Sequence, residues 1–347
     1  MSLLLMDSCR QPGQSSSQWT LFSPAAGSPA PVLGLEHYDL DNDRTTSLIA
    51  DLGADEDDVV IVGMRVHMNA FDNHETGVGS DYFLRLEEAT GSTRHIWLRF
   101  IGADGRIRVQ RGSTILHTSP VAQYSAAAWF FCEFKVKIHD TLGTIQVRID
   151  GVDVINETGL DTRDGGADGL IDRISIGSAE DNSIKLRVCD IYILNEQGSA
   201  PFNDLIGPQT IESLRTDVAG NYTNWTPSAG DNHDAVDDPI GVVHDGDATY
   251  VETTVAERDS YGFENMASSE DPIAVQVKAT ARFTGTAQDF NTFLRRSGTD
   301  DDGPTETGTS SEFRDRALTI YETDPIAAGV WTKANFEATE FGIRTTA

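Results

Sequence analysis

At 347 residues, 39% of them hydrophobic, the chain is long enough for two domains and rich enough in apolar side chains to give each a core. Its 55 acidic residues against 26 basic ones leave a formal charge of −29, which argues against nucleic acid and anionic membrane surfaces, since both need basic patches. Three cysteines, Cys9, Cys132 and Cys189, are too few for a disulfide framework. No run approaches the ~18 apolar residues of a membrane-spanning helix, and the N-terminal MSLLLMDSCR lacks the basic start and apolar length of a signal peptide. A soluble protein made in a reducing compartment is expected.

In chain order, residues 3–6 read as a short first strand. The Gln-, Ser-, Pro-, Ala- and Gly-rich residues 10–31 read as loop, with Trp19–Phe22 as one strand inside it. Residues 59–68, VVIVGMRVHM, place Val60, Val62, Met64, Val66 and Met68 on one face. The first half is apolar on both faces, as in a central or covered strand. A loop over 73–79 precedes Tyr82, Leu84 and Leu86, which alternate with Phe83, Arg85 and Glu87. After Gly91, Ile96, Leu98 and Phe100 alternate with His95, Trp97 and Arg99. A turn at Ala103-Asp104-Gly105 leads to Ile107 and Val109, then to STILHT at 113–118.

The clearest stretch is 129–155. Phe130, Cys132, Phe134, Val136 and Ile138 form one face of a strand and Glu133, Lys135, Lys137 and His139 the other. After a turn, Ile145, Val147 and Ile149 alternate with Gln146 and Arg148. Asp150-Gly151 is a strong two-residue hairpin signal, because that turn needs positive φ. Beyond the polar loop 159–169, Ile174 and Ile176 mark a strand, and Leu186 and Val188, then Ile191 and Ile193, mark another. The parity flips around Asp190, as a β-bulge would produce. Ten to twelve short strands and no amphipathic helix over 195 residues predict a β-sandwich whose greasy face is covered by a second sheet.

Residues 196–208 read as a linker. In the second half, strands are expected at 209–216, 249–255, 273–283, 290–295, 316–321 and 341–344, with a short helix within 325–338. Residues 219–248 and 297–311 read as loop, the former pinned by Tyr222 and Trp225. The predicted organisation is all-β: a first domain over 1–195, the linker 196–208, and a second, smaller β-sandwich over 209–347.

Within this pattern Trp129 and the strand after it, Ile138-His139-Asp140-Thr141-Leu142-Gly143-Thr144, Val147–Gly151 and Cys189-Asp190-Ile191-Tyr192-Ile193-Leu194 resemble a concanavalin A-like, laminin G-type jelly roll of the kind found in virion proteins of tailed bacteriophages. In the second half Asn224-Trp225-Thr226-Pro227-Ser228, Val236-Asp237-Asp238, Asp245–Val251 and Asp259-Ser260-Tyr261 resemble such proteins as well, so the resemblance spans nearly the whole chain. It implies a structural component of a phage particle, attached to tail or capsid; homo-oligomerisation, contacts with other virion proteins and location in the virion are expected. The alternative is a tail adhesin for a host-surface glycan. No nucleic acid partner and no membrane insertion are expected.

Catalysis is not expected. Glucanases of this fold carry Glu-x-Asp-x-x-Glu on one strand, because two carboxylates must flank the scissile bond. The nearest match, Glu257-Arg258-Asp259, has Gly262 where the third carboxylate belongs. No Gly-x-Ser-x-Gly, His-Glu-x-x-His or P-loop occurs, and His67, His95 and His139 fall on polar strand faces, where solvated imidazoles are expected. Asp39, Asp41 and Asp43 have calcium-loop spacing, but Arg44 and Ala50 stand where an EF-hand needs glycine and glutamate. Calcium remains a candidate cofactor at Asp161, Asp164 and Asp168, or at Asp245 and Asp247. A glycan site needs an exposed aromatic platform; Trp97 and Phe83, both out of phase with the core-facing residues, are the candidates.

Overall fold

The computed structural model describes residues 3–9, 21–22, 38–41, 48–68, 83–88, 93–101, 105–125, 128–165, 168–177, 185–239, 245–285, 288–308 and 311–346. Trp19, Asp43, Arg44, the 73–79 loop, Tyr82, Gly91 and the Ala103-Asp104 pair lie outside them. The chain divides into two compact units that part between Ile211 and Glu212.

The first unit contains β1 (Leu3–Asp7), β2 (Leu21–Phe22), β3 (Tyr38–Asp41), β4 (Leu48–Asp51), β5 (Val59–Met68), β6 (Leu84–Glu87), β7 (Arg94–Ile101), β8 (Arg106–Arg111), β9 (Thr114–Thr118), β10 (Trp129–Lys137), β11 (Gly143–Ile149), β12 (Val152–Leu160), β13 (Arg173–Ile176) and β14 (Lys185–Asn195). They form two seven-stranded antiparallel sheets. Sheet I runs β1-β14-β5-β10-β11-β12, with β3 also on β14; sheet II runs β2-β4-β13-β6-β7-β8-β9. One cluster of buried side chains joins them, Val60, Val62, Phe134, Val147 and Ile193 from sheet I meeting Leu86, Ile96, Leu98, Val109 and Ile174 from sheet II. Phe100 of sheet II meets Phe130 of sheet I edge to face, centroids 5.5 Å apart. The first unit is thus the all-β sandwich expected from the alternation, of the jelly-roll class that the resemblance implied.

Two local predictions resolve in detail. Asp150 and Gly151 both have positive φ, 49° and 78°, which makes the tight hairpin between β11 and β12 possible. Asp190 has φ 50°, and the β14–β5 register slips between Cys189 and Tyr192. This is the predicted bulge, and it lets Val188 and Ile191 both face the core.

Residues 196–211 belong to the first unit rather than forming a free linker; they lie across the outer face of sheet I. Glu133, fully buried, accepts from the Tyr192 hydroxyl and from the Gly207 backbone N–H, both at 2.7 Å. Lys135 pairs with Glu196 at 3.0 Å and Asp204 at 3.2 Å. Arg65 donates to Asp190 at 2.9 Å and to the Gln209 carbonyl at 3.1 Å, and Asp190 accepts from the Ile211 N–H at 3.1 Å. Phe202 is buried in this strap. Gly63 makes room for the Tyr192 ring, with which a Cβ there would collide. Tyr192 and Phe131 stack beneath, and burial beside Glu133 pushes the Tyr192 hydroxyl well above its ordinary pKa.

The second unit contains β15 (Thr216–Thr223), β16 (Thr226–Pro227), β17 (Val251–Glu252), β18 (Arg258–Phe263), β19 (Val275–Ala281), β20 (Gln288–Arg296), β21 (Thr299–Asp302), β22 (Glu306–Gly308), β23 (Arg314–Tyr321), α1 (Lys333–Glu337) and β24 (Glu340–Thr345). Sheet III runs β15-β18-β24-β20-β21, with β22 also on β20. Its inner face, with Leu294 and Phe341, packs on Val275, Val277 and Tyr321 of the β19–β23 pair and on Trp331. Several expectations are corrected here. The strand expected at 209–216 is β15, displaced to 216–223. The 297–311 stretch, read as loop, contains β21 and β22. β18 carries Asp259, whose full burial is offset by hydrogen bonds from Asn232 at 2.8 Å and from Tyr261. That buried acceptor, together with the Trp225 indole N–H donating to the Glu257 carbonyl at 3.4 Å, holds the 224–236 excursion.

Candidate functional site

The candidate site is the outer face of sheet II. Leu84, Leu86, Ile96, Leu98, Phe100, Ile107 and Val109 all point into the core, so the residues between them point outward. Register then sets them in rows. Arg85 stands opposite Trp97, and Trp97 opposite Gln110. Arg99 stands opposite Arg108, and Arg108 opposite Thr118. Arg106 sits beside Ile101. On the other side, Ser175 opposes Arg85, and Arg173 lies between Glu87 and Asp51. A bulge after Leu86 brings Arg94 opposite Glu87. Six guanidinium groups, those of Arg85, Arg94, Arg99, Arg106, Arg108 and Arg173, thereby share one face of a strongly acidic chain.

The carboxylates in these rows are Glu87 and Asp51. Glu87, only 2% exposed, lies 2.7 Å from Arg85 Nε and 3.5 Å from Arg94 Nε, and accepts from Ser175 Oγ at 3.0 Å. Asp51 takes Arg173 in two hydrogen bonds, and this pairing raises the arginine's pKa further. Trp97 is half-buried, with the Arg99 and Arg94 guanidinium carbons 5.3 and 6.0 Å from its ring centroid, within cation–π range. Arg108 Nε reaches Thr118 Oγ1 at 3.4 Å, and the Gln110 amide donates to the Gly112 carbonyl at 3.1 Å.

His95 closes one end. Expected in solvent, it is fully buried: its Nδ1 accepts from the Asp164 N–H at 3.1 Å and its Nε2 lies 3.4 Å from Glu88. Burial holds its pKa below the ordinary histidine value. His67 is buried too, its ring against Trp129 on sheet I, because neighbouring side chains cover it from both strands. His139 instead serves its own turn, Nδ1 accepting from the N–H groups of Thr141 and Leu142, each at 3.0 Å.

The sequence candidates are redistributed. Phe83 is not an exposed platform: it precedes β6, turns into the core and packs on Phe100 at 4.5 Å. Trp97 faces outward as predicted, but its indole supports arginines. The calcium candidates do not converge. Asp161 pairs with Arg111, Asp164 lies beside Gly112, and Asp168 accepts from the Leu170 N–H at 3.2 Å. Asp245 caps Thr249 and Asp247 pairs with Arg282. These carboxylates already satisfy turns and cations. Among the described residues, the group with ligand-like spacing is Asp231, His233 and Asp234, with both carboxylates exposed. The arginine face escaped the sequence reading although its signal was present, as Arg85, Arg99, Arg106 and Arg108 all fall in the outward phase of adjacent strands.

Sheet III provides an internal control. Its outer face also carries three arginines, Arg258, Arg295 and Arg344, around Phe293 and Tyr222. There Asp302 takes Arg258 and Arg344, and Asp300 takes Arg295. That face neutralises itself.

No family model matches the chain, and no curated protein matches it. Solved structures are similar over part of its length. The Trypanosoma rangeli sialidase bound to the inhibitor DANA shares 14% identity over 49% of this chain, with a TM-score of 0.34. The alginate lyase Aly36B, in a mutant form bound to alginate tetrasaccharide, shares 13% over 46%, with a TM-score of 0.34. The binding domain of Paraclostridial Mosquitocidal Protein 1 shares 11% over 56%, with a TM-score of 0.39. The matches cover 26%, 80% and 48% of those chains respectively. Likeness at this level says nothing about activity. No helix among the described residues is long and apolar enough to cross a membrane.

Proposed function

We propose that the chain is a non-enzymatic component of a tailed-bacteriophage particle, and that its first sandwich is a recognition module which engages a host-surface glycan through the outer face of sheet II. The resemblance of its strand and turn motifs supports the particle assignment. The observation that carries the recognition assignment is the row structure of that face: Arg85, Arg94 and Arg99 gathered around Trp97, with Gln110, Ser175 and Thr118 beside them. Directional donors fixed on rigid strands orient a hydroxyl-rich ligand, and many copies on a particle multiply a weak contact through avidity. The test is binding of the purified chain to a glycan array, together with a cryo-EM reconstruction of particles. Glycan binding, with sheet II facing solvent, supports the reading. A chain that binds no glycan and occupies no particle density overturns it.

A second reading, self-association, is favoured by the edge strand of sheet I, the last in its order among the described residues. The nine-residue β12 ends that sheet and exposes Val152 at 66%. A long edge strand with an exposed apolar side chain is a template for a second copy. Sedimentation of the purified chain across concentration tests this. A species that stays monomeric, and is unchanged by Val152→Lys, removes it.

A further inference from the structure

We infer that Cys9 and Cys189 form an oxidation site, in which exchange with a small-molecule disulfide such as oxidised glutathione joins the two sulfurs and staples β1 to β14. Strand register carries this. In the β1–β14 pair Leu5 stands opposite Ile193 and Asp7 opposite Ile191. Cys9 lies two residues past that last ladder pair, and Cys189 lies two residues past it on the other strand. The count sets them at opposed positions. Opposed Cα atoms in an antiparallel ladder lie about 4.5–5.5 Å apart, inside the roughly 4.4–6.8 Å that a disulfide spans.

Parity puts both sulfurs on one side. Leu5 and Ile193 are core residues, and counting by twos from them reaches Cys9 and Cys189 on the same inner face. Burial agrees: Cys9 is 1% exposed, Cys189 is 2% exposed, and both belong to the apolar cluster between the sheets. The backbone bends at this point, with φ 60° at Cys9 and 50° at Asp190. The bends leave Cys9 beside β14, because the Tyr38 backbone N–H points at its sulfur and Tyr38 stands opposite Val188, the neighbour of Cys189. Cys132 is on β10, separated from β14 by β5.

The closed fold protects the pair. All three cysteines are thiols. Burial, with Asp7, Cys189 and Asp190 nearby, pushes the Cys9 thiol well above its ordinary pKa, and the attacking species is the thiolate. Reaction therefore needs an opening, and β1 supplies one. It is five residues long and stands at the end of sheet I's order among the described residues; such strands open at low free-energy cost. Once exposed, Cys9 gives up its proton and its sulfur attacks the small disulfide RSSR. A mixed disulfide forms and one RS⁻ leaves. When β1 reseats, the Cys189 thiolate attacks the Cys9 sulfur and the second RS⁻ leaves. The chain loses two electrons and two protons, and RSSR becomes two RSH. The new bond closes most of the first sandwich into one loop, and long loops gain most from closure. A chain kept reduced where it is made is then locked on entering an oxidising medium.

The test incubates the full chain with oxidised glutathione, in native buffer and in urea below its unfolding transition. The product is alkylated, digested without reductant and mapped by mass spectrometry. The expected result is a peptide pair linking Cys9 to Cys189, two hydrogens lighter than its parts, with Cys132 alkylated and with faster formation in urea. The oxidised chain should unfold about 5–15 °C above the same chain in dithiothreitol. Cys9→Ala and Cys189→Ala should each abolish that difference, and Cys132→Ala should keep it. Each variant is compared with itself, oxidised against reduced, so the effect of the buried substitution drops out. The peptide map uses the unsubstituted chain and stands even where a variant does not fold. Alkylation of all three cysteines in both conditions, a link to Cys132, a dimer joined through Cys9, or an oxidised chain no more stable than the reduced one overturns the staple.

Discussion

On the outer face of sheet I, Glu133 is fully buried beneath residues 196–211, hydrogen-bonded to Tyr192 and Gly207. On the outer face of sheet II, the side chains of Arg94 and Arg173 keep 41% and 27% of their exposure. Both sheets alternate apolar and polar residues in the same way, and both outward faces look wet in sequence. The difference arises because a distant segment returns to cover one of them. A covered polar face contributes to stability, since every buried donor and acceptor must be satisfied. On sheet II the partly exposed Arg94 and Arg173 flank the buried Glu87, Gln110 and His95, so that face mixes surface cations with buried polar groups.

Mutations break this comparison at different strengths. The largest effect is expected from Tyr192→Ala, which removes a buried ring and its hydroxyl from beneath the strap. A loss of about 3–5 kcal/mol is expected, read from urea unfolding together with faster proteolysis within 196–211. Unchanged cleavage would show that the strap is held by something else. Glu133→Ala leaves the Tyr192 hydroxyl and the Gly207 N–H without their acceptor and should cost about 1–3 kcal/mol, by the same measurement.

His95 sharpens the comparison through pH. Its folded pKa lies below its ordinary value of 6.5 because burial disfavours the imidazolium. Just below that pH the unfolded chain binds a proton that the folded chain refuses. The contribution to stability is therefore complete above 6.5 and is lost as pH falls through the folded pKa. Unfolding midpoints from pH 7.5 downward should decline faster in the native chain than in His95→Gln; parallel curves would remove His95 as the cause. On sheet II, Asp51→Asn breaks a partly exposed pair with Arg173 and should cost less than about 1 kcal/mol. Arg108→Gln, which loses a contact of 3.4 Å to Thr118, should move stability by no more than about 0.5 kcal/mol. A large loss in either would mean that sheet II's outer face is structural, as sheet I's is.

Much of the first sandwich was legible because period-two alternation directly encodes which side is buried. The 129–155 meander, the Asp150-Gly151 turn and the Asp190 bulge follow from local rules, and each lies where those rules put it. Three parts of the second half were not legible for identifiable reasons. β15 is built from Thr216–Thr223, a run with little apolar content. β21 is Thr-Asp-Asp-Asp, a sequence with poor strand propensity that forms because β20 offers an edge to pair with. β18 was passed over because its buried members include Asp259 and Ser260, polar residues satisfied only by partners distant in sequence.

The site divides in the same way. The alternation by itself determined that Arg85, Trp97, Arg99, Arg106 and Arg108 face away from the core, because side-chain direction in a strand depends only on parity. It also pointed to an all-β chain, and composition alone fixed the strongly acidic charge. Tertiary structure alone decided that Phe83 turns inward, that His67 and His95 are buried, and that Asp161, Asp164 and Asp168 do not converge. It also decided that residues 196–211 cover sheet I, and that arginines of four strands share the outer face of sheet II. Each of these depends on which strands are neighbours and in what register, a choice made by burying the two sheets' apolar faces against each other, and parity within a single strand does not contain it.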